Sequence, residues 1–124
     1  MKIISDKMHA VLDYVTVAIF ALAPTVIGLA GLPAMISYVL AAVHLAMTVV
    51  TDMPFSLVKL IPIKLHELVE AVVGPVLVVG ALVLPWPLSA RIFFGVMGAI
   101  IFVVWLLSSY GLSRGRPVRI VDRP

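Results

Sequence analysis

Three long stretches of this chain carry no formal charge: residues 14 to 51, 71 to 90 and 92 to 113, with His44 counted as neutral. Nothing constrains the fold more. A helix crossing a bilayer needs roughly 20 mainly apolar residues, because in hydrocarbon every backbone N–H and C=O must be satisfied within the segment. The first stretch is long enough for two such helices and is broken midway by Gly31-Leu32-Pro33; each of the others supplies one. Composition agrees. Charged residues make up 12% of the chain and hydrophobic ones 63%, whereas soluble domains carry about 25% charged residues. The pattern predicts an all-α integral membrane four-helix bundle with helices at about 8–30, 34–51, 63–84 and 89–110. This domain would occupy residues 1–112, followed by a basic tail, 113–124.

Lys2 and Lys7 ahead of an apolar run resemble the start of a signal peptide. Asp13 interrupts that run, and no clean small-residue cleavage site precedes a mature soluble domain, so the segment reads as an uncleaved spanning helix. The chain has no cysteine, which excludes disulfides, thiolate metal sites and CxxC redox chemistry.

The connections set the topology. Ala30-Gly31-Leu32-Pro33 and Pro85-Trp86-Pro87-Leu88 are tight turns, and Trp86 suits the interfacial aromatic belt. Segment 52–62 is too short to cross and too apolar for a free loop. It is expected to lie along the interface, with Lys59 and Lys64 reaching headgroups. Four spans put the N-terminus, this segment and the tail on one side, with eight of the nine cations; Arg91 alone is opposite. The positive-inside rule makes that side, and hence both termini, cytoplasmic. The basic balance is therefore a topology signal and not a mark of nucleic-acid binding. The tail is expected to attract anionic lipid, at about 1 kcal/mol per cation near the surface.

All three histidines and five of the six carboxylates lie near this face. At 1.5 Å per residue, Asp13 and Glu70 fall about 9 Å and His44 about 12 Å inside the membrane; His9, His66 and Asp52 sit shallower. A spacing of four puts His9 over Asp13, His66 over Glu70, and His44 over Thr48 and Asp52, each set on one helical face. Ionisable groups at such depth are expensive and tend to pair, face the interior and mark function.

The leading reading is a divalent metal site (Zn, Fe, Mn or Cu) with His9, His44, His66, Asp13 and Glu70 as ligands, and Thr48, Asp52 and Tyr14 supporting them. Three others stay open. Haem could sit between two histidines. A proton-coupled transporter or channel could use Asp13 and Glu70, which requires a homo-oligomer because four helices barely enclose a path. The cluster could also be a hydrogen-bonded clasp in a structural or accessory subunit, each bond worth about 0.6–2 kcal/mol. Asp6 and Glu67 read as surface charge. The residues mark a place without naming a reaction, and no catalytic role is assigned.

Other features concern packing. Gly28, Gly31, Gly95 and Gly98 suggest close helix contacts, and Met35, Met47 and Met97 read as filler. Pro75 removes a backbone bond and should bend the third helix just above Glu70, as Pro24 does in the first. His9-x-x-x-Asp13 and His66-x-x-x-Glu70 suggest a two-plus-two parallel repeat.

Leu12-Asp13-Tyr14 followed by Leu22-Ala23-Pro24, and Leu77 to Leu84 followed by Pro85-Trp86, resemble the SPW-repeat small bacterial membrane proteins. The first site lacks the family's Ser and Trp, and the second lacks its Ser. The resemblance implies a multi-pass protein of the bacterial cytoplasmic (inner) membrane and carries no activity with it.

Overall fold

The computed structural model describes residues 3–108. These form four helices, α1 (Asp6–Val26), α2 (Gly31–Val50), α3 (Ile63–Val83) and α4 (Leu88–Leu107). Each is long and apolar enough to cross a membrane. The basic tail expected at 113–124 lies outside the described residues.

The helix ends differ slightly from expectation, for local reasons. α1 starts earlier because Ser5 caps it, its hydroxyl accepting from the Met8 N–H. It stops earlier because Gly28 takes a φ of +71°, outside the helical region. Gly31, at +58°, completes that turn. Gly28 and Gly31 thus serve the turn and do not form a helix contact. α1 and α3 continue through Pro24 and Pro75.

The close approach lies elsewhere, between α3 and α4. A Cβ on Gly98 would meet the Gly74 carbonyl oxygen at 2.6 Å, and one on Gly74 would meet the Gly98 carbonyl oxygen at 3.0 Å. The two backbones cross in contact at this glycine pair. Gly95 stands only in ordinary contact with Ala81, at 3.5 Å.

Packing is dominated by two hairpins, α1 with α2 and α3 with α4. Phe20, Ala23, Leu29, Ala41, Ala81, Ala90 and Phe94 form an apolar core in the half of the bundle that holds the α1–α2 and α3–α4 turns. Trp86 packs on Phe94 there, and Arg91 caps α3 by donating to the Ala81 and Leu82 carbonyls.

The opposite half is closed by chain segments folding back. Ile4 N–H donates to the Leu107 carbonyl, joining the start of α1 to the end of α4. The α2–α3 connection caps α2: Leu57 and Val58 donate to the Val49 carbonyl, and Leu60 and Ile61 to that of Val50. Helix C-terminal carbonyls lack intrahelical partners, and here backbone from the following loop supplies them. Met53 is fully buried beneath the loop, while Phe55, Leu57, Val58 and Leu60 are exposed. Lys59, exposed on the loop, donates to the Met53 carbonyl and the Ser56 hydroxyl.

Candidate functional site

In the half away from the apolar core, α1 and α3 each direct a His and an acid inward, one helical turn apart. His9, Asp13, His66 and Glu70 are all buried, and each offers a donor atom within 4.8 Å of the others. The contacts interlock. His9 Nε2 lies 3.2 Å from Asp13 Oδ1 and 3.1 Å from Glu70 Oε1. His66 Nε2 lies 3.1 Å from Asp13 Oδ2 and 3.0 Å from Glu70 Oε1. Each histidine thus faces both acids, its own and that of the other helix.

The remaining ring nitrogens fix the tautomers. Ser108 Oγ donates its only hydrogen to the Val104 carbonyl, so at 2.7 Å it can only accept from His9 Nδ1–H. Thr51 Oγ1 donates to the Met47 carbonyl and at 2.9 Å accepts from His66 Nδ1–H. Both rings therefore carry hydrogen on Nδ1 and turn Nε2 toward the carboxylates. A neutral ring so held presents a lone pair to oxygen lone pairs 3.0–3.2 Å away. The centre consequently calls for positive charge, as protons on Nε2 or as a cation among the four donors. Asp13 Oδ2 sharpens this requirement: it is buried, and the group that faces it is His66 Nε2 at 3.1 Å.

The other expected site residues fall around this group. His44 is partly exposed, and its Nε2 lies 3.4 Å from Asp13 Oδ1; it meets the group through Asp13 and is not one of the four clustered donors. Thr48 is buried, but its hydroxyl is spent on the His44 carbonyl. Tyr14 points away from the acids, donating to the Phe55 carbonyl at 2.7 Å and so pinning the loop to α1. Asp52 is exposed at the start of that loop; its neighbour Thr51 is the residue that contacts His66. Thr51 and Ser108 are the site residues that sequence reasoning missed. The available signal was a hydroxyl at each helix end, at the level of the histidines.

Two cavities touch the group. One of about 30 Å3, between α2 and α3, is lined by His44, His66 and Glu70 together with apolar residues. The other, about 220 Å3, lies between α1 and α4 and ends at Asp13, His44 and Glu70. Comparison of the chain with known protein families, curated proteins and solved structures finds no match. What the site does must be read from its own chemistry.

Proposed function

We propose that this is a small multi-pass protein of the bacterial cytoplasmic membrane that binds a divalent metal ion through His9, Asp13, His66 and Glu70. One observation carries the reading: two histidines, locked on Nδ1 by hydroxyl acceptors, aim Nε2 at two buried carboxylates. Metal-bound histidines nearly always have their other ring nitrogen held in this way. The spacing also fits. Bonds of about 2.1 Å to nitrogen and oxygen give a tetrahedral edge of about 3.4 Å, near the 3.1 and 3.0 Å from His9 and His66 Nε2 to Glu70 Oε1, and one donor atom from each of the four residues lies within 4.8 Å of the rest. A set of two imidazoles and two carboxylates suits Zn, Fe, Mn or Cu.

The competing readings draw less support. The His9 and His66 rings have centroids 5.9 Å apart and turn Nε2 toward the same two carboxylates, which favours a bare ion over haem held between them. Beyond the group the axis is filled by the buried Phe20 and Phe94, which favours binding over transit through a single copy. The exposed Phe55, Leu57 and Leu60 support an interfacial seat for the loop at the cytoplasmic face.

Elemental analysis of protein purified without chelator tests the proposal. Stoichiometric metal is expected in the wild type and is lost in Glu70→Gln and His66→Ala. His44→Ala, outside the four donors, keeps its ion with lower affinity. A folded wild type that neither contains a divalent metal nor takes one up on titration refutes the reading and leaves the group as a protonated His–carboxylate clasp.

A further inference from the structure

The four donors are closed off from water. His9, Asp13, His66 and Glu70 are 2%, 3%, 0% and 5% exposed, and the cavities beside them are walled chiefly by apolar side chains between spanning helices. A hydrated divalent ion does not approach through hydrocarbon, because the cost of burying its charge there is too high. An ion that binds here therefore needs the loop-side end of the bundle to open. At that end the α2–α3 connection passes from one half of the group to the other. Thr51 contacts His66 on α3, and four residues later the Phe55 carbonyl accepts from Tyr14, which follows Asp13 on α1. Met53, midway between them, is fully buried and stands apart from the turn-side core.

This connection is fastened unevenly. Residues 57–61 are tied to the end of α2 through the Val49 and Val50 carbonyls, and the Asp52 N–H donates to the Ile61 carbonyl, so both flanks are fixed. Between them, the bonds of 53–56 to Thr51 and Lys59 stay within the connection. Among the described residues, the Tyr14 hydroxyl makes the one hydrogen bond that joins 53–56 to a helix. It falls on Phe55, whose φ of +64° is rarely adopted by a bulky residue. The Phe55 side chain is 58% exposed, so packing does little to hold that conformation, and strain of this kind persists only where a neighbour enforces it. We infer that residues 53–56 form a lid over the His–acid group, held shut by Tyr14 and sprung by Phe55, and that a divalent ion enters and leaves when this latch parts. The inference rests on the proposed metal reading for its cargo. Because Thr51 lies outside the lid, His66 keeps its acceptor while the lid swings.

Two measurements on the full chain in detergent test this. Zn2+ uptake and release are timed with a chromophoric chelator. Lid opening is read without metal, from the rate at which a charged methanethiosulfonate modifies the thiol of Met53→Cys, the chain having no cysteine of its own. Tyr14→Phe removes the latch and is expected to speed labelling, uptake and release together, each about fivefold. Its Kd stays unchanged, since the latch is closed whether the site is empty or filled. Phe55→Gly relieves the strain and slows all three about threefold. A Kd that shifts while labelling does not would make Tyr14 part of the shape of the site and overturn the lid. So would labelling indifferent to both substitutions, or Zn2+ rates indifferent to a lid that opens faster. If Met53→Cys does not fold, the opposed effects of the two substitutions on the Zn2+ rates still decide. Labelling that responds as expected in protein that takes up no Zn2+ keeps the lid and removes only the metal reading.

Discussion

The hydroxyls of Thr51 and Ser108 show how much single atoms decide here. Each is committed to a backbone carbonyl one turn back, so each offers its histidine only a lone pair. Loss of such an outer partner costs about 10–100-fold in metal affinity. Thr51→Val keeps the side-chain shape and removes the acceptor, and it is expected to weaken binding by about that factor, whereas Thr51→Ser retains wild-type affinity. Competition against a chromophoric chelator measures both; equal affinity of the valine variant and the wild type would show that the hydroxyl does not orient the ring. The histidines and acids themselves were legible in the sequence, because charge is conspicuous in an apolar chain and helical spacing gives its depth. Their hydroxyl partners were not. Ser108 meets His9 across 99 positions of sequence, and that contact depends on helix rotations that no local pattern encodes.

Between elements, the glycine pair where α3 crosses α4 sets how closely the second hairpin closes. Gly74 lies one turn beyond Glu70, so spacing at the crossing bears on where that carboxylate sits. Gly98→Ala forces a methyl against the Gly74 carbonyl oxygen, which Gly98 approaches to within 2.6 Å of an added Cβ. Overpacking of this kind costs about 1–3 kcal/mol. Gly95→Ala, inside α4 with its nearest neighbour at 3.5 Å, is expected to leave stability unchanged or raise it by up to about 1 kcal/mol. Denaturation of both variants in detergent decides the point, and equal behaviour would mean that the crossing is free to relax. Sequence alone ranked these glycines together, since spacing says that small residues are available without saying which face another backbone. The four helices, by contrast, were legible almost to the residue at α3, where Pro62 and the flanking charges mark the start. The return of residues 57–61 onto the end of α2 was not, because it depends on carbonyls left open by the helix itself.

At the scale of the whole molecule, the polar group fastens two hairpins that otherwise pack mostly within themselves. His9 and Asp13 belong to one hairpin, His66 and Glu70 to the other, and the cross-contacts His9–Glu70 and His66–Asp13 tie them together. A ligand that binds only the folded state at 100 times its Kd adds about 2.7 kcal/mol. Chelation is therefore expected to lower the unfolding midpoint of the wild type and to leave Glu70→Gln unaffected. Hydrogen exchange should show the loss at His9–Asp13 and His66–Glu70 while the turn-side core around Phe20 and Phe94 stays protected. Identical midpoints with and without chelator would separate the fastening from any metal.

The division of the donors between the hairpins also bears on how the protein is made. A nascent chain that has inserted only α1 and α2 holds Asp13 in the membrane with His9 and His44 but without His66 or Glu70. An ion that needs all four donors can be captured only once Ile63–Val83 has entered the bilayer. If the group binds an ion as proposed, loading would be a late step of biogenesis, performed on a nearly complete chain.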